Sequence, residues 1–448
     1  HRYNHFQEDW INSFGSDEVV QGQWFGYLAS REVDAQYHLW SGLLTGSHLA
    51  SYYKLMLSTA PNQDMGVTTH DIRLRPYYAF VGKEMATLNT GLARQILACA
   101  HRYDPIALYH SQRSNLAGGD TLNATYAFKR LIEDSGFRFT TVDSRDVLRG
   151  ALAERGIRVL VLPQVVCVSE AERDRFAAFV EAGGILVTDQ NTGLRDGHGK
   201  PRQAGGILDP LFGLTRRMSD MAGKAAGRFA ATPQAGGALR EYRALQVAAA
   251  AKGIVPEKAQ PWLQTKEGIP AVLVHAVGKG RAIYLNLDLA NYASSAAGGV
   301  FGEETEDTQG VAEYTASCVD LMRGLLAETA GLRPRAAARV HGEPLVDTRV
   351  YYLNRGNLDL VGFLRGREGQ PVETSIALPK RAHVYELRSD PRYFGETDAV
   401  TATLRPAVGA VFALLPYEVE RVELRGPERI RAGEVLTLAG AIVPKIGR

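Results

Sequence analysis

The spacing of apolar positions changes along this chain, and each change predicts a change of architecture. An aromatic extended stretch, VVQGQWFGY (19–27), leads into the helical pattern REVDAQYHLWSGLLTG, which ends at Gly46. A buried strand, SHLASYYKLML, follows, and then an amphipathic helix over 76–100. Strand, helix, strand, helix is the rhythm of a parallel sheet or barrel, here two units long. After 101 the rhythm restarts with shorter strands. PIALYHS, FRFTTVD, IRVLVLPQVV and GILVTD read as buried strands, separated by the helices DTLNATYAFKRLIEDSG, DVLRGALAERG and SEAERDRFAAFVEAGG. The last helix opens on a capping-box-like Ser169 and stops at Gly183-Gly184. Four strands alternating with three helices across short links predict an open, doubly wound, flavodoxin-like parallel sheet over 104–331.

From Pro201 the sequence becomes turn-rich, until AVLVHAVGKGRAIYLNLD predicts a hairpin around Gly278-Lys279-Gly280 and QGVAEYTASCVDLMRGLLAETAG a closing helix. The stretch RPRAAAR (333–339) has no apolar period and reads as a linker. Beyond it, TRVYYLNRG, DLVGFLR, ETSIALP, AHVYELR, AVTATLRP and GAVFALLPYEV are short strands at roughly ten-residue spacing, which predicts a small antiparallel sandwich. The expected division is therefore 1–100, the end of a parallel barrel; 101–332, an α/β domain; 340–424, a β sandwich; and 425–448, the start of a further β module.

Composition narrows the functions. The chain has 448 residues, 45% of them hydrophobic and 22% charged, with a net charge of +2 and no block of like charge. That balance predicts no nucleic-acid partner. No apolar run approaches the roughly 20 residues of a membrane span. The three cysteines, Cys99, Cys167 and Cys318, are scattered, so neither a disulfide framework nor a zinc site is expected, and a reducing, cytoplasmic setting is the default. The chain opens on His1 inside a patterned segment and so reads as a piece of a longer protein, and any targeting signal would lie upstream.

The eleven histidines include no HExxH and no ligand-spaced cluster, and no cofactor is expected. GxxxxGK[ST] and a placed GxGxxG are absent, and Gly118-Gly119 reads as a plain turn. Cys167 lies between a strand and a helix, where a nucleophile elbow would place an activated thiol. Its β-branched neighbours Val166 and Val168 argue instead for an inert packing residue. In a barrel the chemistry lies at the C-terminal strand ends, which here hold Gln21, Gln23, Trp24 and Tyr27, and then Tyr52, Tyr53 and Lys54. Aromatic faces beside amides and a Lys suit a sugar; the alternative is plain packing of the barrel. Glycoside hydrolysis would need two carboxylates, and those nearby are Glu8, Asp9, Asp17, Glu18 and Glu32.

Read in order, the pieces resemble the C-terminal part of the β-galactosidases of glycoside hydrolase family 42 (GH42). REVDAQYHLWSGLLTGSHLASYYK is similar to that family's last barrel helix and eighth strand. VLVLPQVVCVSEAERDRFAAFVEAGGILVTDQNTG, GGILDPLFGL and GKGRAIYL resemble its trimerisation domain, a class I glutamine-amidotransferase fold without the nucleophilic cysteine. AHVYELRSDPRYFG and VFALLPYEV resemble its terminal β domain. The resemblance implies a retaining hydrolase of β-galactosides or related sugars that assembles as a homotrimer. It makes Glu18 the nearest match to the nucleophile, with Glu8 behind it, and Trp24, Tyr53 and Lys54 sugar contacts. The family's acid/base Glu belongs to the fourth barrel strand, so this chain alone is expected to be inactive. Two other readings are a non-catalytic oligomerisation or carbohydrate-contacting module, and a Cys-dependent amidotransferase-like hydrolase.

Overall fold

The computed structural model describes residues 13, 22–25, 32–52, 73–74, 76–118, 121–240, 245–287, 289, 292, 308–388, 392–427, 429–433 and 435–445. At the N-terminal end, β1 (Gly22–Phe25) and β2 (Leu49–Tyr52) pair in parallel, Gly22 opposite Leu49 and Phe25 opposite Tyr52. The helix Glu32–Leu44 connects them and is buried from Asp34 to Leu44. It ends as the sequence predicts: Gly46 adopts φ 91°, and the Ser47 N–H donates to the Gly42 carbonyl at 2.8 Å.

The expected continuous helix over 76–100 is a correction. Pro76–Thr87 runs into a π turn, Leu88–Leu92, where Gly91 takes φ 116°, before Ala93–Leu97 resumes. Only glycine enters that region without penalty, so Gly91 lets the helix absorb an extra residue and bend. The chain then leaves the helix: β3 (Ala100–His101) pairs with a strand of the C-terminal sheet.

In the middle region, β4 (Ile106–Tyr109), β5 (Thr140–Val142), β6 (Val159–Leu162) and β7 (Ile185–Thr188) form the predicted parallel core. Side-chain alternation explains why these strands read as uninterrupted apolar runs. Ile106, Leu108, Val159 and Val161 enter one core with the helices Thr121–Asp134 and Thr308–Ala330. Ala107, Tyr109, Leu160 and Leu162 enter a second core with Val147, Leu152 and the helix Glu170–Glu181.

The turn-rich stretch after Pro201 holds strands the periodicity missed: β8 (Leu214–Arg216), β9 (Lys224–Ala231), β10 (Leu245–Ala251), β11 (Ile254–Pro256) and β12 (Gln260–Gln264). The predicted hairpin is β13 (Pro270–Val277) and β14 (Gly280–Leu285). The strand order β10-β9-β12-β13-β14-β7-β6-β4-β5 thus joins an antiparallel half to the parallel half, because β14 lies antiparallel to β13 but parallel to β7. Glycines make this junction. A Cβ on Gly280 would sit 2.2 Å from the Gly184 and Val180 carbonyls, and one on Gly278 would lie 2.7 Å from the Glu181 backbone.

In the C-terminal region the sequence 333–339 is not only a linker, since β15 (Ala337–Val340) takes its end into a sheet with β16 (Glu343–Pro344). Then come β17 (Thr348–Arg355), β18 (Leu358–Arg365), β19 (Val372–Glu386), β20 (Arg392–Leu404) and β21 (Gly409–Leu415). ETSIALP and AHVYELR, expected as two strands, are one: β19 runs fifteen residues and crosses an irregularity between Ala377 and Ala382. The antiparallel sheet is continuous and encloses Val350, Phe363, Ile376, Val384 and Phe412 on one face. Its other face is buried too. Tyr351, Leu360, Leu364 and Val411 pack on Trp40 and Leu44 of the first helix and on Leu88 and Ile96. Last, β22 (Val419–Arg425) and β23 (Ala439–Pro444) make a separate two-stranded ribbon.

Candidate functional site

The parallel register of β1 and β2 brings their C-terminal ends together, with Trp24 opposite Ser51 and Phe25 opposite Tyr52. This is the end at which the sequence places sugar contacts. The backbone of Trp24 lies in β1; its side chain, and Glu8, Glu18, Tyr53 and Lys54, lie outside the described residues.

The element beneath those strand ends is fixed from the C-terminal sheet. Trp40 is fully buried, and its Nε1 donates to Glu84 Oε1 at 2.6 Å. Arg388, beyond β19, donates to the same carboxylate from Nε at 3.0 Å, and its guanidinium lies 5.1 Å from the centre of the Trp40 ring. Arg367 binds Asp34 at 2.8 Å at the start of the same helix. The helix behind β1 and β2 therefore cannot shift without breaking contacts to the β region.

Against this unit is a cleft of about 510 Å³, lined by His38, His48, Asn89 and Arg94 with Leu43 and Leu97. Among the described residues that line it there is no carboxylate. Among the described residues no group of His, Cys, Asp and Glu is arranged to hold a metal ion.

The second place to search is the carboxyl edge of the doubly wound sheet, between β4 and β6, where such folds bind ligands. The chain does carry strain there, but at Gln164 rather than Cys167: Gln164 takes φ 39° directly after β6. Three of its polar groups are occupied by protein. Its N–H donates to Asp189, its carbonyl accepts from Thr121 Oγ1, and its side-chain oxygen accepts from Asn191. Residues 165–168 are covered by a strap: the Gly193 and Arg195 N–H groups donate to Val165 and Val166, and the Val168 N–H donates to Arg195.

Cys167 is 2% exposed, and burial pushes its thiol up from the usual value although Arg195 is near. A nucleophilic thiol needs the opposite shift. Nearby, burial lowers the His110 imidazole, and the Tyr109 hydroxyl donates to Glu172 Oε1 at 2.6 Å. Further along the edge, the buried Arg216 binds Asp209 at 2.9 Å and donates to the Gln190 and Thr192 carbonyls. Burial holds the Asp209 carboxyl above its normal range in spite of that arginine. These groups tie loops together.

A doubly wound α/β module carrying an antiparallel extension, followed by a curled antiparallel sheet that clasps a βα unit, is similar in fold to the C-terminal portion of GH42 β-galactosidases. Residues 144–296 match the family model described as the β-galactosidase trimerisation domain. A comparison with curated protein sequences found no match. Among solved structures, the fold is similar to the β-galactosidase from Bacillus circulans sp. alkalophilus, at 12% identity and a TM-score of 0.65 over 92% of this chain and 58% of that one. It is likewise similar to a GH42 β-galactosidase from G. stearothermophilus (16%, 0.65, 92% and 56%) and to the cold-adapted β-galactosidase from Rahnella sp. R3 (14%, 0.64, 92% and 57%). The chain spans less than two thirds of the length of each.

Proposed function

We propose that this chain is the supporting portion of a retaining glycoside hydrolase acting on β-galactosides or related sugars. In this reading 1–100 completes a (β/α)8 barrel, 101–332 holds copies together as a homotrimer, 340–424 braces the barrel's last helix, and 425–448 begins a further β module. Support comes first from the trimerisation-domain match over 144–296, set beside a parallel βαβ unit whose helix is clamped by the C-terminal sheet. Glu18 is the proposed nucleophile, with Glu8 the alternative, and Trp24, Tyr53 and Lys54 the proposed sugar contacts. The chain alone should not turn over substrate, because the partner carboxylate is assigned by analogy to an earlier strand of the barrel.

Two measurements test this. Sedimentation at micromolar concentration should give a trimer, and a strict monomer would remove the assembly role. Single-turnover hydrolysis of an aryl β-galactoside should be undetectable with this polypeptide and restored when it is joined to an upstream barrel half. Hydrolysis by the polypeptide alone would overturn the division of labour. A trimer that stays inert even when joined would favour the non-catalytic reading.

A further inference from the structure

We infer that Tyr393, on the β19–β20 hairpin, is a stacking platform for β-linked oligosaccharides. The inference rests on the reading of this chain as part of a glycoside hydrolase. Among the described residues, Tyr393 is the aromatic ring in the set of exposed large apolar side chains, at 39% exposure. The ring stacks on Tyr385 with centroids 4.7 Å apart and planes 21° apart, and the His383 ring lies 6.1 Å away with its plane at 16°.

The strand register sets the surroundings. Tyr385 pairs with Tyr393 and His383 with Glu396. Directly opposed residues share a face of the sheet, as do residues two apart on a strand, so Arg381, His383, Tyr385, Tyr393 and Glu396 lie on one face. The ring is held still. Its hydroxyl is 2.6 Å from His383 Nδ1, and the Tyr385 hydroxyl accepts the Val419 N–H at 2.8 Å. Beside it the Arg381–Glu396 pair is exposed on both partners, 66% and 56%, at 3.4 Å.

A sugar ring has one flat C–H face and a rim of hydroxyls. It suits a single immobilised aromatic face bordered by a carboxylate and a guanidinium, which accept from and donate to that rim. A protein partner would need a broader apolar area than one ring supplies. Because both tyrosine hydroxyls are tied back into the protein, little side-chain freedom remains to be lost on binding.

The test is affinity electrophoresis of the full chain through gels containing β-1,4-galactan, β-glucan or β-mannan. The wild type should be retarded by at least one of them. Tyr393→Ala should weaken that retardation at least tenfold, Tyr393→Leu comparably, and Glu396→Gln severalfold, while Tyr393→Phe should keep most of it. Unchanged circular dichroism would show that the variants fold. Absence of retardation in all three gels, or equal retardation of wild type and Tyr393→Ala, would overturn the inference. Neither result depends on hydrolysis or on sedimentation, so failure here is distinguishable from failure of the proposed function.

Discussion

Glu172 shows how one residue serves several levels of structure. It stands at the third position of the helix Glu170–Glu181, where its carboxylate accepts the Ser169 N–H at 2.8 Å and its own N–H donates to Ser169 Oγ at 3.3 Å. That reciprocal box was legible in the sequence; the Tyr109 hydroxyl that also donates to it was not, because Tyr109 lies on β4. Burial by itself would raise the Glu172 carboxyl, but the bonds from Ser169, Tyr109 and Ser144 outweigh it and hold it below its ordinary 4.5. A carboxyl depressed in the folded state adds stability that is full above the unfolded value and is lost as pH falls through the folded one. Glu172→Gln should therefore cost about 2 kcal/mol at pH 7. Urea midpoints should show the gap to wild type closing as pH falls from about 5 to 3, and a gap that does not change with pH would assign the loss to packing instead.

At the scale of elements, the helix Glu32–Leu44 reads from sequence as one more barrel helix, and the structure shows what it leans on. Two glycines in neighbouring strands make room for it. A Cβ on Gly409 would meet the Trp40 ring at 2.3 Å, and one on Gly362 would meet Leu44 Cδ2 at 2.9 Å. The Trp40 ring is held by Glu84 and Arg388 and cannot step aside. Gly409→Ala should thus lower stability by about 2 to 3 kcal/mol through overpacking. Thermal melts would register it, and hydrogen exchange should show protection lost first in 32–44. A neutral substitution would mean that the helix tolerates displacement. The same scale explains the VEAGG and GKG landmarks. They are recognisable because β14 meets the end of the helix Glu170–Glu181 backbone to backbone, where Gly278 and Gly280 alone fit.

For the molecule as a whole, the α/β and β regions meet across buried charge. Glu133 binds Lys129 at 3.1 Å, Arg138 at 3.4 Å and Arg349 of β17 at 3.1 Å, with its own side chain 1% exposed. Arg138 also lies 4.6 Å from the centre of the Tyr351 ring. Beside it Asp134 binds Arg130, the Tyr292 hydroxyl and the Asp347 N–H. Removing Glu133 takes a shared carboxylate away from three buried cations. Glu133→Ala should cost about 3 to 5 kcal/mol and Glu133→Gln less. Calorimetry should then resolve separate transitions for the two regions; one cooperative transition of unchanged midpoint would show that the cluster does not couple them.

The sequence alone determined the alternation of the parallel core built from apolar runs, the caps at Gly46 and Ser169, and the burial of Cys167. These follow from local spacing and side-chain chemistry, which act within a few residues. It also gave the resemblance that the fold bears out. Only the tertiary structure decided that β14 inserts beside β7 and turns half of the sheet antiparallel, that 372–386 is one strand, and that residues 100–101 and 337–340 join the C-terminal sheet. It alone placed the strain at Gln164 and the aromatic face at Tyr393. Those outcomes depend on which strands meet and in what register, and contacts between residues as far apart as Trp40 and Gly409 leave no period in the chain.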